Sequence, residues 1–313
     1  MNSKAAKLLC AIALMLAGIS AANASAIDDL QSSAGETIKS HHAVVPAPAP
    51  ANSDSSATDA AAASTSEHLV MGNPSNAGTT DNNNYLLVRP QYVVSYNSSK
   101  GTPNWVAWHL NSTWIGSVKR SDDFRADTSL PSGLQQITPD VYKDSGFDKG
   151  HMCNSEDRTN TVENNQATFL MSNMIPQSPK NNEQTWGSLE EYSRTLAKAG
   201  DELYIYSGPW GQGGEGSKGQ SSTLSSGGLT VTVPQYTWKV VLVLPGGSTS
   251  PSAVTSSAKA IAVIMPNTQE INTDWKTYIV TVSDVENMTG YTFFTNVSSS
   301  VASSLKQQKY SAN

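Results

Sequence analysis

The chain has 313 residues, a net charge of −6, only 15% charged residues and two cysteines. Residues 1–26 carry +2 and residues 27–81 carry −6, which leaves the rest at −2 and excludes a strongly basic protein that holds a polyanion through excess charge alone. Cys10 falls in the first segment and Cys153 stands alone after it, so an intrachain disulfide is excluded once that segment is removed. No C-x-x-C occurs to suggest structural zinc.

Lys4 and Lys7 precede an apolar run from Leu8 to Ile19 that is too short for a comfortable bilayer span. Ala22-Asn23-Ala24 and Ala24-Ser25-Ala26 both fit a cleavage site. Residues 1–26 are therefore expected to be a signal peptide, giving a secreted or periplasmic protein without stable membrane insertion. Residues 27–81 are rich in Ala, Ser, Pro and Asn. They predict a flexible linker in which His41, His42 and His68 are solvated. Residues 82–313 are long enough for one large core.

Within that region Tyr85 to Asn97 reads as a strand pair. Asn104 to Leu110 reads as a strand with Trp105, Ala107 and His109 on one face and Val106, Trp108 and Leu110 on the other. His109, mid-strand among aromatics, is expected to be structural, and Cys153 to be a packed thiol. Arg120 to Gly146 has the turn signals of a long ordered loop. Thr161 to Met171 has helical spacing, ended by the prolines at 176 and 179. Asn181 to Gly200 is the clearest helix, with Glu190 and Arg194 placed to pair. Glu202 to Ser207, Thr230 to Val233, Tyr236 to Leu244 and Ala260 to Met265 read as strands. Gly208 to Gly228 reads as a Gly/Ser-rich excursion, and Thr277 to Val282 and Gly290 to Asn296 as final short elements. The fold class is α+β, with strands before and after a central helix.

The chemistry concentrates in Phe147-Asp148-Lys149-Gly150-His151 and, further on, Asn182, Trp186 and Glu190. An imidazole near its ordinary pKa of about 6.5 can accept a proton at neutral pH. Asn182 offers one carbonyl oxygen to a hard cation that keeps most of its waters. Eight residues span about 12 Å of ideal helix, so Glu190 suits contact with cation-bound water. Arg120 and Arg194 carry forked donors for phosphate oxygens, and Asp148 can orient the site. Taken singly, each of these residues also fits a surface turn, an N-cap or a solvated helical pair.

Taken together they resemble the DNA/RNA non-specific endonucleases, the ββα-metal or His-Me finger nucleases, and among them the secreted cyanobacterial nucleases of the Anabaena type. The likeness runs in order from about Tyr85 to Val297. It includes Asn104 to Trp108, Arg120 to Asp127, Phe147 to Met152, Ser155 to Thr159, Ser172 to Gln177, Asn182 to Trp186, Leu189 to Arg194 and Thr289 to Phe294. It implies a mixed or antiparallel central sheet flanked by helices, with a ββα-metal site. It further implies His151 as general base, Asn182 as the protein ligand of Mg²⁺ (Mn²⁺ being the second candidate) and Glu190 at a metal water. Arg120 and Arg194 then fall at the phosphate, Asp148 in support, and Lys149 and Arg158 at the substrate. Asn181 is the adjacent rival for the ligand position. The family usually has Arg where Lys149 stands, and Lys lacks the two-pronged geometry, so weaker affinity or rate is expected.

The expected activity is cleavage of DNA and RNA to 5′-phosphate ends, with a protein inhibitor as a further candidate partner. A metal-dependent phosphodiesterase on nucleotides or small phosphoesters is the alternative, motivated by the near-neutral to acidic domain. A non-catalytic secreted binding protein is a third reading, resting on the acidic Ala/Ser-rich stretch.

Overall fold

The structure, a computed structural model, describes residues 66–311. The expected signal peptide and most of the expected linker lie outside the described residues. The core is a seven-stranded sheet in the order β1-β2-β3-β6-β11-β12-β13. These strands are Tyr85–Val88, Val93–Asn97, Thr102–Leu110, Glu202–Trp210, Tyr236–Leu244, Lys259–Pro266 and Ile279–Val280, and every pairing is antiparallel. The expected α+β class holds.

Strand alternation sorts side chains onto two faces. Val106, Trp108 and Leu110 of β3 join Ile205, Val241, Val243 and Ile261 in one core layer. Trp186, Leu189 and Ala197 of the central helical segment seat on that layer. On the opposite face Phe293 packs against Tyr206 and Trp238, with ring centroids 5.5 and 5.6 Å apart. Both faces are covered, so β11 is almost wholly buried rather than half-wet.

Several sequence expectations are corrected. Residues 66–81 are packed structure rather than linker. Glu67–Leu69 forms a 3₁₀ turn capped by Ser66, and Met71 is fully buried. His68, expected to be solvated, is buried; its Nε2 lies 2.9 Å from the Pro90 carbonyl and its Nδ1 accepts the His109 N–H at 3.2 Å. His109 is structural as expected, bonded on one side to Glu67 at 2.9 Å and on the other to Glu202 at 2.5 Å. The Gly/Ser excursion is built into the ribbons β7–β8 (Gly214–Gly216 with Gly219–Ser221) and β9–β10 (Thr223–Ser226 with Leu229–Thr232). Two late helices, Val282–Thr289 and Ser299–Gln307, have no counterpart in the sequence reading. Their short polar sequences owe their helicity to capping and packing, as in the Thr281/Asp284 capping box.

The position of the site follows from one detour. The chain leaves the sheet after Leu110 and returns at Glu202, and β3 and β6 are nevertheless adjacent. Residues 111–201 therefore form a continuous excursion lying over the sheet, and all the predicted site residues are inside it.

Candidate active site

The excursion holds a two-stranded ribbon, β4 (Asp148–His151) with β5 (Met174–Gln177), followed by a helix. The stretch 173–179, expected only to break a helix, supplies β5; Pro176 is tolerated because a two-stranded ribbon leaves outward-facing edges. Period two in β4 sets Lys149 and His151 on one face, and both line a cleft of about 640 Å³. Gly150 between them is required sterically, since a Cβ there would stand 2.2 Å from the Oε1 of Gln177. The helix opens as a π-helical segment, Asn181–Trp186, and continues as the α-helix Gly187–Lys198. This wider i→i+5 winding replaces the straight helix assumed from sequence, and Asn182 and Glu190 both line the same cleft as His151.

Asn182 Nδ2 donates to Asp148 Oδ2 at 2.9 Å. That commits the amide nitrogen and leaves the carbonyl oxygen as the atom able to take a cation. Its rival Asn181 is fully buried and donates to Thr237 Oγ1 and the Pro266 carbonyl at 3.1 and 3.2 Å. Asn181 thus ties the helix to the sheet. Arg120 also lines the cleft. It donates to Asp122 at 2.6 Å and Ser155 at 3.0 Å, and its guanidinium lies 5.0 Å over the Phe169 ring. Lys149 sits 4.6 Å over Phe124.

Glu190 and Arg194 line the cleft but take separate partners instead of forming the expected pair. Arg194 binds Glu156 at 2.6 Å and the buried Asp157 at 3.2 Å. Glu190 accepts from Asn154 and lies 3.4 Å from Lys239. Arg158 is the clear correction among the expected site residues. It has no exposed surface, and its donors are spent on the carbonyls of Gln91, Asp157 and His109. Buried and satisfied, it does not line the cleft. Asn154, Asp157, Lys239 and the Phe124/Phe169 pair were missed by the sequence reading. Only Lys239 left a signal, a lone charge inside an otherwise apolar strand.

The imidazole of His151 packs edge-on against Phe169 at 4.9 Å and tilted against Phe124 at 5.5 Å. Its Nε2 is buried and has no hydrogen-bond partner among the described residues. Burial, reinforced by Arg120 and Lys149, pushes its pKa down to about 3. Burial likewise lowers His68 to about 4, with Arg158 adding to the shift. The Cys153 thiol is pushed up to about 12 by burial, so it is the inert packed thiol expected.

These two histidines give a stability prediction. The unfolded chain takes up their protons near 6.5, whereas the fold resists until about 4 and about 3. The stability they contribute is complete above pH 6.5 and is lost as pH falls through that window. Each contributes a slope of about 1.4 kcal/mol per pH unit there. Thermal midpoints measured from pH 7 to 4 should fall steadily, and His68→Gln should flatten the decline. An unchanged slope in that variant would remove His68 from the account.

The model of one protein family, described as DNA/RNA non-specific endonuclease, matches residues 72–300. The chain belongs to this family. It is 48% identical over 247 residues to a nuclease of Nostoc sp., covering 78% of this chain and 86% of that one. It is 32% identical to nuclease C1 of Cunninghamella echinulata, covering 67% and 82% of the two chains. Among solved structures, a complex of EndoG with EndoGI, reported for the mechanism of EndoG inhibition, superposes with a TM-score of 0.59 at 24% identity. That match covers 74% of this chain and 91% of the other, and it supports the fold. The protein is accordingly an endonuclease, a hydrolase of nucleic-acid phosphodiester bonds.

Proposed function

We propose that this endonuclease is exported and cleaves DNA and RNA with little sequence preference, leaving 5′-phosphate ends. His151 is the general base, and Asn182 is the protein ligand of one Mg²⁺-type cation, with Mn²⁺ the second candidate. The observation that carries the reading is a single cleft lined by His151, Asn182, Glu190, Arg120, Lys149 and Arg194. Among the described residues no phenylalanine, tyrosine or tryptophan lines it, which suits a site that grips phosphates rather than base faces. Export rests on the basic start at Lys4 and Lys7 followed by the apolar run. The inhibitor bound to the fold neighbour supports a protein inhibitor as a candidate partner.

The donor set fits a hard, well-hydrated cation. Among the described residues no group of three or more His, Cys, Asp or Glu side chains is arranged to hold a metal. A cation here therefore depends on few protein atoms, as Mg²⁺ commonly does. The amide oxygen of Asn182 would hold it, with Glu190 facing its water shell. When bound it would supply charge neutralisation at the phosphate and the leaving oxygen. The protein's own groups do the rest. The unprotonated imidazole of His151 can take a proton from the attacking water. Asp148 fixes the direction of the Asn182 amide. Arg120 and Lys149 bring positive charge to the face of the ribbon where the phosphate would lie, and Arg194 does so from the helix.

The test uses the full chain, supercoiled plasmid and a long RNA, with Mg²⁺ in the presence and absence of EDTA. Degradation of both polymers, abolished by the chelator, is expected. Intact polymers beside hydrolysis of bis-p-nitrophenyl phosphate would favour the small-phosphoester reading instead.

A further inference from the structure

We propose that Lys239 is a positioning residue, holding the Glu190 carboxylate in its working orientation beneath the cleft; this rests on the reading of the cleft given above. Lys239 lies mid-way along β11, in a stretch that otherwise reads Tyr-Thr-Trp and then Val-Val-Leu-Val-Leu. Its side chain is 1% exposed. Its ammonium sits 4.1 Å over the Trp186 ring and 5.7 Å from that of Trp108. It does not line the cleft, so contact with substrate does not account for it.

Stability does not account for it either. A cation enclosed in a core carries a large desolvation cost, and a well-packed apolar residue of the same shape usually serves the fold as well or better. The one carboxylate in ion-pair range of Lys239 among the described residues is Glu190, at 3.4 Å. Glu190 is itself 5% exposed. Its other oxygen accepts from Asn154 Nδ2. The Asn154 amide cannot turn over freely, because its Oδ1 accepts the Glu156 N–H at 2.7 Å. Two donors from different elements, the sheet below and the loop beside, therefore fix both oxygens of one carboxylate. Asn154 alone would leave the group free to pivot about a single bond. Burial tends to push the Glu190 carboxyl above its usual range, and Lys239 opposes that push.

The test compares the wild type, Lys239→Met, Glu190→Gln and the double variant, using the full chain, Mg²⁺ and plasmid DNA. Lys239→Met should lower kcat by about 100-fold, the scale of losing one placed electrostatic group, with KM for DNA nearly unchanged. The double variant should turn over like Glu190→Gln alone, since groups acting as a unit are not additive. Thermal midpoints supply a readout independent of turnover. Each single variant strands a buried group and should melt lower, while the double variant should regain part of the loss.

If Lys239→Met does not fold, the comparison of the double variant with Glu190→Gln still decides. A further loss of about tenfold in kcat would overturn the proposal, because Lys239 would then act through something other than Glu190. Wild-type kcat in a folded Lys239→Met would overturn it too. Failure of the wild type to cleave at all would refute the functional reading instead, so the two failures are distinct.

Discussion

His151→Ala should keep the fold and lose about 10²–10⁴ of the cleavage rate, the contribution of a well-placed general base. The ring touches Phe124 and Phe169 and belongs to the β4–β5 ribbon, so its removal opens a small cavity without disturbing the seven-stranded sheet. A second readout separates a base from a structural imidazole. In the free enzyme burial holds the ring near 3, helped by Arg120 and Lys149. A bound phosphate sets its negative charge against those same two cations, so the ring should gain proton affinity in the complex. The acid limb of kcat/KM, which reports the free enzyme, should therefore lie below that of kcat, which reports the complex. Full plasmid cleavage by the folded alanine variant would dismiss His151 as the base. Coincident acid limbs would instead show that the phosphate does not neutralise Arg120 and Lys149.

The sequence exposed those parts of the site whose chemistry is local. Asp148, Lys149 and His151 occupy one short strand, and period two is enough to bring the last two together. Asn182, Glu190 and Arg194 follow one helix, so their shared face could be anticipated. What the helix hides is its opening turn. The π winding over Asn181–Trp186 has no propensity signature, so the rise of an ideal α-helix does not describe the start of this one. The charge partners were illegible on different grounds. Glu190 and Arg194 stand four apart, and local spacing therefore suggested a pair. Tertiary packing brings Lys239 from a strand 49 residues later to one, and Asp157 from 37 residues earlier to the other. Long-range ion pairs of this kind obey no period. The same holds for residues 66–81. Their composition matches the linker before them, and only contacts such as Trp105 Nε1 to Ser75 and Tyr206 to the Gly72 carbonyl reveal that they complete the sheet's covering.

Arg158→Met should cost about 3–5 kcal/mol, the range for breaking a buried, hydrogen-bonded charge, and lower the melting midpoint by about 10 °C. The guanidinium donates to the Gln91 carbonyl at 2.6 and 2.8 Å, to His109 at 2.9 Å and to Asp157 at 2.7 Å. It also lies 4.1 Å over the Trp114 ring. Methionine can occupy the channel but offers no donor, which leaves three main-chain carbonyls short of partners in a dry region. Gln91 leads into β2 and His109 belongs to β3, so this one side chain pins the 3₁₀ turn Ser155–Arg158 to the sheet. Asp157, in the same turn, receives Trp108 Nε1 at 3.0 Å and holds Arg194 at 3.2 Å. Loosening the turn should therefore slacken the helix-borne cation as well, and activity should decline with temperature ahead of the wild type. A role in gripping substrate predicts the opposite pattern. The midpoint would hold, and the salt dependence of DNA binding would fall by about one unit of slope. Measuring the midpoint and the salt slope on the same preparation decides between them, and a guanidinium with no route to solvent has no phosphate to give up.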